Sequence, residues 1–164
     1  MPDPNHERLI DLLAGIDFGR RYYASYERAR NRARWAGYTQ EDLQAALATV
    51  PLDFTYHRRE NFFRHAETLD SGLALALNVA FPASQAEYIL DFRTPAGRHG
   101  APYKRLAREV ERRRDPAFTF DPSSPDLPFS SPDELREVVT FGTGLYVEIR
   151  EQILAAAASG AWPK

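Results

Sequence analysis

The chain has 164 residues, 43% of them hydrophobic and 12% aromatic, and carries a formal net charge of −2. That is enough apolar material for an ordinary core in one domain over 1–164, and it excludes a disordered chain, a collagen-like fibre and an unusually cationic protein. The absence of cysteine removes disulfides, thiolate nucleophiles, cysteine-held zinc and iron–sulfur clusters as well.

Leu9, Leu12, Leu13 and Ile16 recur at helical spacing behind Asn5, which reads as a cap, so the pattern predicts a helix over 5–15. From Gly19 to Gly37 the residues Tyr22, Tyr26, Ala29, Ala33 and Ala36 fall on one stripe, which predicts a second helix with arginines on its opposite face. Thr39 and Asp42 form a cap-like pair ahead of Leu43, Ala46, Leu47 and Val50, which predicts a third helix at 40–49. Phe62, Phe63, Ala66 and Leu69 share a helical face, and a fourth helix is expected near 58–68.

Leu73 to Phe81 alternates large and small residues at a period of two, and Glu87 to Arg93 alternates Tyr88, Leu90 and Phe92 against Glu87, Asp91 and Arg93. With the turn-forming Pro82-Ala83-Ser84-Gln85 between them, a β-hairpin is preferred over helix. Two glycines and two prolines make 94–102 a loop. Tyr103 to Arg114 reads as a helix with Tyr103, Leu106 and Val110 inward, Ala117 to Phe120 as a short strand, and 121–131 as an extended connection. Ser131-Pro132-Asp133-Glu134 is a clear helix start: a capping serine, a proline at the first helical position and a glutamate at the third. The helix behind it carries one apolar stripe to Ala156, with Gly142 and Gly144 as points where it could divide. The resulting class is α+β: a helical N-terminal half, a small two- to three-stranded sheet in the middle, and a long C-terminal helix.

No leader-like basic start or apolar core opens the chain, and no window approaches the roughly 20 apolar residues of a membrane span. A cytoplasmic protein without a membrane partner is expected. No glycine-rich phosphate loop and no strand–elbow–helix setting for a nucleophilic serine is present. No cofactor or metal is expected.

Several constellations can carry function. Residues 18–36 hold Arg20, Arg21, Arg28, Arg30, Arg32 and Arg34 against Glu27, with Trp35 among them. A second basic run, 93–114, holds Arg93, Arg98, Lys104, Arg105, Arg108 and Arg112 to Arg114 against Glu109 and Glu111. Together they would favour a nucleic-acid backbone if they shared a face; if they do not, Asp121, Asp126, Asp133, Glu134 and Glu137 are expected to neutralise the second run. Tyrosine and tryptophan beside arginine is also the composition of protein-interface anchors, and Tyr23 and Trp35 are the rings expected to be exposed.

Ala33 to Ala46, with Gly37 at the turn, resembles the helix-turn-helix of bacterial regulators over about twenty residues. Its second helix carries Gln40, Glu41, Asp42 and Gln44 and no basic residue, so an ordinary interhelical turn is the preferred reading. His57, Glu60 and His65 on one helical face would be a hydrolytic or metal site. Two histidines eight residues apart, about 12 Å along a helix axis, and the flanking arginines argue against it. His6 and His99 read as isolated.

The sequence reading is therefore a non-catalytic binding protein that docks on another, unidentified protein through Arg20, Arg21, Tyr23, Arg28, Arg32 and Trp35. The alternative is a nucleic-acid-binding protein that uses Arg30, Arg34, Arg98, Arg105 and Arg112 on the phosphate backbone.

Overall fold

The computed structural model describes residues 1–69, 72–160 and 162. The chain is α+β, with helices α1 (Pro4–Gly15), α2 (Phe18–Ala29), α3 (Gln40–Leu47), α4 (Tyr103–Arg114) and α5 (Pro132–Ala158). Strands β1 (Thr55–His57), β2 (Phe62–Thr68), β3 (Ala74–Ala80), β4 (Gln85–Thr94) and β5 (Gly97–His99) form an antiparallel meander in chain order. β6 (Leu127–Pro128) adds to the start of β4. The sheet has six strands, not two to three: 58–68, expected to be a fourth helix, is β2 and the turn before it, and β1, β5 and β6 form where no strand is expected, β5 inside the 94–102 loop and β6 inside the 121–131 connection.

Capping chemistry sets most helix starts. Ser131 accepts from the Glu134 amide at 3.2 Å and Pro132 opens α5, while the Glu134 carboxylate turns back to Ser130. Thr39 and Asp42 close a reciprocal capping box on α3. The cap of α1 is Asp3, not Asn5: Asp3 accepts from the Asn5 amide at 2.9 Å, and Asn5 itself is buried one position inside the helix. α5 runs unbroken through both of its glycines for 27 residues.

The core lies between one sheet face and the helices. Alternation along β3 and β4 sends Leu75, Leu77 and Val79 and Tyr88, Leu90 and Phe92 inward. They meet Tyr103 and Leu106 of α4, Val138, Leu145 and Ile149 of α5, and Leu9 and Leu13 of α1 in one buried cluster. Gly142 explains how close α5 can come: a Cβ there would sit 2.1 Å from the Tyr88 ring. The Tyr88 hydroxyl donates to the Val138 carbonyl at 2.5 Å, and the Tyr103 hydroxyl to the Gly142 carbonyl at 3.0 Å. Two buried hydroxyls are thus satisfied by helix carbonyls, which their burial requires.

α2 ends at Ala29, well short of Gly37, so the ten residues before α3 are a folded connection and the helix-turn-helix geometry does not form. Trp35 belongs to that connection. Its amide donates to the Ser84 hydroxyl at 3.0 Å, and its ring packs with Tyr38 and Phe129, centroids 5.9 and 6.2 Å away. Ala117 to Phe120 forms no strand; Phe118 and Phe120 instead pack on Tyr23.

Candidate binding surfaces

The α2 region has fewer unclaimed groups than its composition implies. Arg21 makes a two-pronged pair with Glu148 of α5, at 3.0 and 2.6 Å. Arg32 gives Nε to Glu134 at 2.7 Å and a terminal nitrogen to Glu137 at 2.9 Å. Arg30 pairs with Glu27 and leans over the Tyr26 ring. Arg20 approaches Asp17 at 3.7 Å with most of its side chain in water. Arg28 and Arg34 are exposed and have no ion-pair partner among the described residues. Tyr23, expected to be exposed, is 7% exposed beneath Phe118 and Phe120. Trp35 is half-buried and held from three sides by Tyr38, Phe129 and Ser84.

Much of the second basic run is matched as well, by Asp126 among the expected acids and otherwise by acids elsewhere in the fold. Lys104 pairs with Asp126 and Glu87, Arg105 with Glu109, Arg113 with Glu7 and Asp11, and Arg114 with Asp17. The acids of α1 and the α1–α2 turn serve Arg113 and Arg114. Glu134 and Glu137 serve Arg32 of the first run, and Asp133 serves Arg136. Arg112 donates to the Phe118 carbonyl. Arg105 and Arg112 lie on the helix side of the sheet, whereas Arg93 and Arg98 lie on the other side.

That other side is the uncovered face. The residues between the inward positions point there: Arg64, Ala66 and Thr68 from β2, Ala74, Ala76 and Asn78 from β3, Ile89, Asp91 and Arg93 from β4, and Arg98 from β5. No described helix crosses it. Ala66 stands opposite Ala76 and forms a low floor, and a depression of about 190 Å³ opens above it, walled by Arg64, Asp91 and Arg93.

Asp91 sits at the base of that wall with its side chain 1% exposed, and three guanidinium groups converge on it. Arg98 gives Nε at 2.7 Å, Arg64 a terminal nitrogen at 3.3 Å and Arg93 one at 3.4 Å. Arg64 is also fixed by Asn78 at 2.9 Å. Burial by itself would raise the Asp91 pKa. Hydrogen bonds from Arg98 and Arg64 and the charges of Arg98 and Arg93 outweigh it and hold the carboxyl below the usual carboxylate range.

Sequence reasoning placed Arg98 in a loop and missed this cluster. A signal was nonetheless present: Pro95-Ala96 makes a two-residue turn, so Arg93 and Arg98 stand directly opposite across a hairpin. Like charges in that position repel, and an acid two residues from one of them is the natural compensation. Gly100 permits the bend that follows, since its φ is +106° and a Cβ would lie 2.3 Å from the Leu90 carbonyl oxygen.

His57 and His65 do not share a helix face. His57 stacks on Phe62 at 4.8 Å across the β1–β2 hairpin, next to the turn that holds Glu60. His65 lies on the helix-facing side, 2.8 Å from Glu67, which also accepts from the Tyr146 hydroxyl at 2.9 Å. His6 and His99 are not isolated: His6 meets Glu109 at 2.7 Å, and buried His99 lies between Asp3 at 2.6 Å and Thr94 at 3.0 Å. Among the described residues no group of three or more His, Asp or Glu could hold a metal ion, and no helix is long and apolar enough to cross a membrane. The chain matches no family model, no curated protein and no solved structure.

Proposed function

We propose that the chain is a non-catalytic binding protein that docks on another protein through the uncovered face of its sheet. The observation that carries this reading is the pairing of a small-residue floor, Ala66, Ala74 and Ala76, with an arginine wall organised by Asp91. An alanine floor lets a partner backbone approach closely, and arginine is enriched among the residues that anchor protein interfaces. The surface centred on α2 is the weaker candidate, because Arg21 and Arg32 are bound to acids of α5 and Tyr23 is covered.

Site-specific photo-crosslinking in cells that make the protein tests the reading. A crosslinker at Ala66 should give a discrete protein adduct, and one at Arg28 should give none. Adducts confined to Arg28 would return docking to α2, and adducts removed by nuclease would favour the nucleic-acid alternative.

A further inference from the structure

On the open face the three arginines have different tasks. Arg64 uses one terminal nitrogen on Asn78 and the other on Asp91, and is only 25% exposed. Arg98 binds Asp91 through Nε, so neither of its terminal nitrogens has a partner among the described residues. Arg93 touches Asp91 through one terminal nitrogen and leaves the other and Nε open. Both outer side chains are more than half exposed. One buried carboxylate therefore holds two guanidinium forks on the open face, Arg93 in the wall of the depression and Arg98 beside it across the hairpin, with donors to spare and a local excess of positive charge.

We propose that the occupant of this face is an extended, acidic segment of a protein partner, whose carboxylates take the open donors of Arg93 and Arg98, with Asp91 as the positioning residue that aims them. This rests on the docking reading above. A planar carboxylate matches the guanidinium fork with two parallel hydrogen bonds. A nucleic acid fits less well, because a base needs a ring to stack on and the aromatic on this face, Phe62, is already covered by His57. It lies six residues along β2 from Thr68, about 20 Å from the Arg93 row.

The test uses the intact chain and a fluorescent decapeptide alternating glutamate and serine, followed by anisotropy at low salt, with melting curves confirming that each variant folds. The glutamate peptide should bind and its glutamine counterpart should not. The double variant Arg93→Ala, Arg98→Ala should weaken binding by about tenfold or more. Arg98→Lys, which keeps the charge and loses the fork, should recover little of it.

Asp91→Asn separates aiming from simple attraction. It makes the site more positive, so a diffuse field predicts tighter binding, whereas a positioning role predicts a several-fold loss. Tighter binding in Asp91→Asn, equal binding of the two peptides, or preferential binding of a single-stranded oligonucleotide lost in the same double variant would each overturn the proposal. Protein adducts at Ala66 together with indifference to peptide charge would remove this inference while leaving the docking reading intact.

Discussion

On one face of the sheet Tyr88, Leu90 and Phe92 of β4 disappear beneath α4 and α5, while Ile89, Asp91 and Arg93 point to the opposite face. The covered face is jigsaw-packed: large rings against a helical glycine, with the hydroxyls of Tyr22, Tyr88, Tyr103 and Tyr146 each given a carbonyl or carboxylate. The open face is shallow and ionic, and its one deeply buried polar group among the described residues, Asp91, is an acid held by three arginines. Tolerance to change should therefore differ sharply between neighbouring positions on the same strand, because close packing penalises added atoms and water-facing ion pairs contribute little.

The largest effect is expected on the covered face. Gly142→Ala places a methyl group inside the Tyr88 ring and should lower stability in urea by about 3 kcal/mol. Gly144→Ala, two residues on and facing open space, should instead stabilise by about 0.5–1 kcal/mol because it removes a helix glycine. Equal responses would mean that the two sides of α5 are not packed differently.

On the open face Asp91→Ala should cost about 1–2 kcal/mol. The value is discounted from that of a fully buried pair because Arg93 and Arg98 lie mostly in water.

Acid titration sharpens the same point. The Asp91 pKa is lower in the folded chain than in the unfolded one, so its stabilisation is complete above the ordinary carboxylate pKa. It is lost as the pH falls through the lower folded value. Glu67 on the covered face behaves alike: burial raises its pKa, but hydrogen bonds from His65 and Tyr146 and the charge and hydrogen bond of Arg150 prevail. Both acids should shape the decline in urea midpoint below about pH 4. Asp91→Asn should flatten part of it and leave the Glu67 share; an unchanged acid limb would show that the arginine cluster stores no folding energy.

The smallest effect belongs to Arg98→Ala, expected to change stability by under about 0.5 kcal/mol because it removes one ion pair and relieves the repulsion from Arg93. A loss several times larger would make the cluster a structural staple and weaken its claim to be a docking surface.

Reading the chain alone found α4, the β3–β4 hairpin and the start of α5, all places where local chemistry and tertiary setting agree. It failed at β2. There the inward residues are Phe63, His65 and Glu67, two of them polar, because the sheet margin meets α5 through the Tyr146 hydroxyl and Arg150 and not through apolar contacts. The alternation that marks a half-buried strand was masked, and Phe62, Phe63, Ala66 and Leu69 imitated a helix. α2 was overextended for the opposite reason: alanines at 29, 33 and 36 keep a helical period, but the Trp35 amide is drawn to Ser84 and the Tyr38 hydroxyl donates to the Phe81 carbonyl, which holds the connection in another shape.

Local sequence thus determined the α+β class, the helix caps and the strands whose pattern is uniform, since these depend on residues within one turn or one hairpin of each other. Which arginines are matched, which rings are covered and which sheet face stays open were decided only in three dimensions. An ion pair such as Arg21–Glu148 joins residues 127 positions apart, and no spacing rule reaches across that distance.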